Sequence, residues 1–135
     1  MAGHTISADL TWAGDLKFTT TVGETTVTLD GDGQAGLSPL SAVVAGLAGC
    51  MAIDVALILQ RGRHPLTSLR SRIVAHRTEH APRRIERIEL SFEIGGAVPR
   101  DAIERALALS REKYCSVWHS LRQDIELQVT FAVPA

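Results

Sequence analysis

The chain has 135 residues, 45% of them hydrophobic and 21% charged, with a formal net charge of −1; this is the balance of one globular domain. Near-neutral charge argues against a nucleic-acid backbone or an anionic membrane surface as partner. Two cysteines are too few for a disulfide-stapled scaffold, and the opening Met1-Ala2-Gly3-His4-Thr5 lacks a basic stretch followed by an apolar run, so a cytoplasmic, reducing location is expected.

The first thirty residues read as strands. Ile6, Ala8, Leu10 and Trp12 alternate with Thr5, Ser7, Asp9 and Thr11, and β-branched runs follow around Phe18–Val22 and Thr25–Leu29, with turns at Ala13-Gly14-Asp15 and Gly23-Glu24. The loop Gly31-Asp32-Gly33-Gln34-Ala35-Gly36 comes next. It spells G-x-G-x-x-G, but Ser38-Pro39 opens the helix only after the third glycine and no acidic residue ends a following strand about 20 residues on, so a flexible turn fits better than a nucleotide site. Asp30-Gly31-Asp32-Gly33 likewise lacks the later ligands of a calcium loop.

Ser38 as N-cap and Pro39 as first helical residue predict a helix from about Pro39 to Gln60, ending near Gly62 and Pro65. Leu40 to Leu59 is long enough to span a bilayer, but Asp54, Gly46 and Gly49 count against that. A buried core helix is expected, with no membrane partner.

Two strands follow, joined at His80-Ala81-Pro82-Arg83: Leu69, Ile73 and Ala75 mark the first, and Ile88, Leu90, Phe92 and Ile94 the second. Arg83, Arg84 and Arg87 are interleaved with Glu86 and Glu89, which predicts a wet mixed-sign strand face and no nucleic acid. Beyond Gly95-Gly96, Pro99 opens a helix with Asp101 in its first turn and Ile103, Ala106, Leu107 and Ser110 on one face, running to about Tyr114. A short helical segment at Cys115–Leu121 and a strand carrying Ile125, Leu127, Val129, Phe131 and Val133 complete the chain.

The order βββ-α-ββ-α-β defines an α+β fold with largely antiparallel pairing, in one domain spanning 1–135. A first helix so apolar needs more cover than one small sheet provides, which predicts a homodimer with a large interface.

The chemistry rests on the cysteines. Cys50 lies in the apolar helix and Cys115 in the polar segment Lys113-Tyr114-Cys115-Ser116-Val117-Trp118-His119. Two thiols can run a sulfenate-to-disulfide cycle, or both can be buried small hydrophobes. Asp54 stands four residues after Cys50 and His119 four after Cys115, so each is a candidate to act on its thiol: a carboxylate raises a neighbouring thiol pKa, and an imidazole stabilises a thiolate. Residues 1–60 hold one base, Lys17, against six acids, so cationic help for Cys50 comes from Lys17, from an arginine of the second half, or across a dimer interface. A metal site through Cys50, Cys115 and His119 lacks local ligand spacing, and neither metal nor cofactor is expected.

Several blocks resemble the OsmC/Ohr family of osmotically inducible and organic hydroperoxide resistance proteins. They are Ser38-Pro39-Leu40, Ala48-Gly49-Cys50-Met51-Ala52-Ile53-Asp54-Val55, Ile58-Leu59-Gln60 and Leu109-Ser110-Arg111-Glu112-Lys113-Tyr114-Cys115-Ser116-Val117. The resemblance covers essentially the whole chain. It implies an intertwined homodimer that reduces small organic hydroperoxides, with Cys50 peroxidatic, Cys115 resolving and an external dithiol as reductant. The family's peroxidases add an arginine in the N-terminal strand region and a glutamate after the helix-opening proline; here Lys17 is the only base in that region and Leu40 follows Pro39, features closer to an OsmC-like subgroup. The alternative is a non-catalytic binding or redox-sensing module whose cleft beside Cys50 holds a small apolar ligand.

Overall fold

The computed structural model describes residues 4–134. Its elements are β1 (Asp9–Trp12), β2 (Lys17–Val22), β3 (Thr25–Asp30), α1 (Pro39–Arg61), β4 (Leu66–Arg77), β5 (Ile85–Gly96), α2 (Arg100–Leu109), a π-helical turn (Ser110–Tyr114), α3 (Ser116–His119) and β6 (Glu126–Ala132). This is the expected βββ-α-ββ-α-β order. The chain divides into two compact units, Met1–Val43 and Val44–Ala135.

The first unit is an antiparallel meander with β2 in the centre. Cross-strand registers place Leu10, Thr20 and Val27 in one row and Trp12, Phe18 and Leu29 in the next, so both rows share one face. The alternation therefore identified the apolar face correctly. It overestimated the first strand, which begins at Asp9, and Leu10 and Trp12 remain 52% and 66% exposed. Period-two patterning says which side of a strand is apolar, not what covers it.

The glycine loop is a built turn rather than a slack one. The Asp30 carboxylate, in a buried residue, accepts backbone N–H bonds from Asp32 (3.0 Å), Gln34 (3.2 Å) and Ala35 (2.9 Å). These bonds, that from Ala35 foremost, hold its carboxyl below the usual range. N–H groups of the kind that cradle a phosphate are thus committed to the protein's own carboxylate. Gly36 is required because a Cβ there would lie 2.1 Å from the Thr28 carbonyl oxygen.

α1 begins as its cap predicts: the Ser41 N–H donates to Ser38 Oγ at 3.2 Å. It runs one residue past the expected end, and the left-handed residue beyond it is Arg63 (φ 57°), not Gly62. Leu47, Met51, Val55 and Leu59, spaced by four, form its buried stripe with Ala48. Ile53 and Leu57 are exposed, and only 28% of the most apolar 18-residue window is buried. The helix is long and apolar enough to cross a membrane by length and composition, but its single carboxylate, Asp54, is hydrogen-bonded within the folded unit.

In the second unit β5 lies between β4 and β6, antiparallel to the first and parallel to the second. A crossover through two helices delivers β6 alongside β5 in the same direction. Ile88, Leu90, Phe92 and Ile94 of β5 are essentially fully buried, together with Ile103 and Ala106 of α2. Arg87 pairs with Glu89 at 3.1 Å on the opposite face of β5, where Glu89 also meets His76 at 2.9 Å, as the mixed-sign pattern predicts. The helix expected to continue to Tyr114 instead widens at Ser110, and the Cys115 N–H reaches the Ser110 carbonyl at 2.8 Å.

Candidate active site

The site is assembled from α1 and from the segment that follows α2. Cys50 and Asp54 occupy successive turns of α1 and project to one side. The π-helical turn inserts an extra residue before Cys115, a device frequent at functional sites, and leaves Cys115 extended (φ −73°, ψ 98°) as the cap of α3. The result brings Cys50 Sγ, Cys115 Sγ and an Asp54 carboxylate oxygen within 4.8 Å of one another. Both thiols are free.

The sulfurs occupy different environments. Cys50 is half-buried, whereas Cys115 is fully enclosed and its Sγ accepts the Trp118 N–H at 3.4 Å. Burial pushes the Cys115 thiol up to about 11; the Trp118 N–H opposes this, while Cys50 and the Asp54 charge add to it. Asp54 is fixed by Ser110, whose Oγ–H donates to Asp54 Oδ2 at 2.7 Å from a fully buried position.

His119 does not join the thiols. Because Cys115 caps α3 instead of lying within it, the i, i+4 same-face rule does not apply, and the His119 ring is exposed. Its contact with Cys115 is a backbone hydrogen bond, N–H to carbonyl, at 3.1 Å. Lys17 belongs to the first unit, where it faces Asp30 across the β2–β3 register and helps hold the Asp30 carboxyl down.

Sequence reasoning missed three residues. The sequence puts Ser110 on the buried face of α2, and a serine at an otherwise apolar helix position is a signal for a buried hydrogen-bond partner. Arg61 and Tyr114 line a cavity of about 360 Å³ with Asp54, Leu57, Ile58 and Leu109. Arg61 lies seven residues after Asp54, two helical turns along the same face. Asp54 thus belongs to both the thiol cluster and this cavity.

A substitution isolates the electrostatic part of this arrangement. Asp54→Asn removes a negative charge from beside Cys115 but leaves its burial, the larger cause, intact, so the Cys115 pKa is expected to fall while staying above the ordinary thiol value. Thiolate absorbance followed against pH in Cys50→Ser and Cys50→Ser/Asp54→Asn backgrounds reads this directly; an unchanged or higher value contradicts the placement of the carboxylate.

The matching family model is that of OsmC-like protein, aligned over residues 30–130. Protein YhfA of Escherichia coli K12 is 35% identical over 136 aligned positions, covering 96% of this chain and 99% of YhfA. Among solved structures, a hypothetical protein from Aquifex aeolicus VF5 superposes with a TM-score of 0.90 at 25% identity, covering 98% of each chain. An organic hydroperoxide resistance protein OsmC from Legionella pneumophila has the same fold, with a TM-score of 0.73 at 14% identity, covering 98% of this chain and all of that one. With the element order, the two cysteine-bearing segments and a family match across most of the sequence in agreement, the chain belongs to the OsmC-like protein family.

Proposed function

We propose that the protein is a thiol-dependent reductase of organic hydroperoxides. The observation that carries this reading is the pairing of a half-buried thiol with an enclosed one, the two sulfurs within 4.8 Å. A disulfide needs about 2.05 Å between sulfurs, so a side-chain rotation and a small backbone adjustment close the gap.

The greater exposure of Cys50 supports its acting first. The Cys50 thiolate attacks the distal oxygen of the hydroperoxide, the O–O bond breaks, and the alkoxide leaves as an alcohol after taking a proton; Cys50 becomes a sulfenic acid. Cys115 then attacks the Cys50 sulfur, the S–O bond breaks, and its oxygen departs as water, leaving a Cys50–Cys115 disulfide. An external dithiol reduces that disulfide by exchange and is itself oxidised. Keeping Cys115 protonated until the sulfenic acid forms prevents it from competing for peroxide.

The adjoining cavity supplies substrate discrimination in this reading. Leu57, Ile58 and Leu109 form an apolar wall for the organic group, and Arg61 provides a cation in the same cavity. The likeness to proteins named for organic hydroperoxide resistance supports this substrate class, and a thiol cycle of this kind suits the reducing cytoplasm. Reduced protein supplied with dihydrolipoamide or dithiothreitol is expected to consume cumene hydroperoxide catalytically. Consumption no faster than dithiol alone removes the reading.

A second copy of the chain is the proposed cover for the apolar surface left open on α1 and, separately, on the β1–β3 face. Light scattering is expected to give twice the 14.6 kDa chain mass at micromolar concentration; a monomer contradicts the homodimer.

A further inference from the structure

We propose that the reduced site also binds one thiophilic divalent cation, zinc in the first instance, through Cys50 Sγ, Cys115 Sγ and the Asp54 carboxylate. The inference uses the same residues as the peroxide reading but does not depend on peroxide chemistry.

Three features carry it. The first is spacing. Zinc takes thiolate at about 2.3 Å and carboxylate at about 2.0–2.2 Å, so tetrahedral ligand atoms stand roughly 3.6–3.8 Å apart. The three atoms here lie within 4.8 Å of one another, and a contraction of about 1 Å at most completes the set. The second is charge. A carboxylate next to two thiols opposes a bare thiolate, whereas beside a dication it neutralises charge and completes a ligand set. Among the described residues this is the cluster of cysteine and acidic side chains with metal-binding separation.

The third feature is the support behind the carboxylate. Ser110, fully buried, donates to Oδ2 at 2.7 Å and so holds the carboxylate in place, a group with two oxygens to offer. Outer-shell hydrogen bonds of this kind orient metal-ligating carboxylates, and losing one typically weakens affinity about 10–100-fold. Cys50 and Asp54 are both half-buried, so an ion can enter from their side, and three protein ligands leave the fourth position to water.

Binding releases the two thiol protons to solvent and leaves the site with one net negative charge. Both sulfurs are then occupied, so the bound ion blocks disulfide formation. The disulfide in turn has no thiolate to offer. Metal occupancy and the oxidised state are therefore mutually exclusive, and zinc is expected to act as a reversible inhibitor of the peroxide cycle.

The test is a titration of reduced, full-length protein with zinc chloride against a chromophoric zinc indicator, repeated with cobalt to read thiolate-to-metal charge transfer. The expected result is one ion per chain, a cobalt spectrum with two thiolate ligands, and no binding after diamide oxidation. Cys50→Ser and Asp54→Asn are each expected to weaken zinc affinity at least about tenfold, and Ser110→Ala about tenfold, with circular dichroism unchanged. Failure of the reduced protein to compete with the indicator overturns the proposal. Wild-type affinity in Asp54→Asn also overturns it, because plain dithiol capture would then explain the binding. Protein that consumes hydroperoxide but ignores zinc overturns this inference alone; protein that binds zinc but is inert to hydroperoxide overturns only the catalytic reading.

Discussion

Replacing Cys50 with serine is expected to abolish hydroperoxide turnover, with a loss of at least about three orders of magnitude. A serine hydroxyl, unlike a thiol, is scarcely ionised near neutral pH and cannot pass through a sulfenic acid. Its neighbours are an enclosed thiol and a carboxylate already engaged by Ser110. Cys115→Ala has a different expected phenotype. Cys50 should still react with the first equivalent at close to the wild-type rate, because the attacked oxygen meets Cys50 before Cys115 enters the reaction. The sulfenic acid then persists, is trapped by dimedone, and overoxidises under excess peroxide. Stopped-flow consumption of one equivalent separates the two variants. Equal loss of the first turnover in both would show that the thiols act as one unit, and a normal first turnover in Cys50→Ser would reverse their roles.

The largest effect on stability is expected at Phe92. It lies in the central strand of its sheet, 1% exposed, paired with Ser71 on one side and Phe131 on the other. Truncation to alanine leaves a large cavity that the neighbouring strands cannot collapse to fill, at a cost of about 3–5 kcal/mol. Against a total of about 5–15 kcal/mol for a domain, this brings the fold close to its limit. Urea denaturation should show a much lower midpoint with an unchanged slope. A loss below about 1 kcal/mol would mean that β5 is not the centre of the core.

The sequence made these elements legible where local chemistry and burial agree. Ile88, Leu90, Phe92 and Ile94 alternate with polar residues and are buried as the period requires. Ile103, Ala106, Leu107 and Ser110 follow the helical period and are all buried. Ser38 caps α1 because its hydroxyl accepts the Ser41 N–H. Legibility failed where geometry is set at a distance. The π-helical turn at Ser110–Tyr114 has no periodic signature, yet it moves Cys115 off the helical surface on which a partnership with His119 depends. The Ser110–Asp54 bond joins residues 56 positions apart, beyond any local pattern.

The glycine loop teaches the same lesson from the other side. Its G-x-G-x-x-G spacing lacks the strand-and-helix context of a nucleotide site. The physical basis lies in Asp30, which occupies the N–H groups of Asp32, Gln34 and Ala35. The spacing of glycines reports a need for backbone freedom; it does not report which group the backbone serves.

Whether Cys50 and Cys115 form one redox unit is decided by intact-mass analysis of reduced protein treated with one equivalent of cumene hydroperoxide. The expected result is a mass lower by about two hydrogens, no thiol available to iodoacetamide, and a peptide map linking Cys50 to Cys115, all reversed by a dithiol. Recovery of both free thiols, or oxygen added to Cys50 with no link to Cys115, would contradict it.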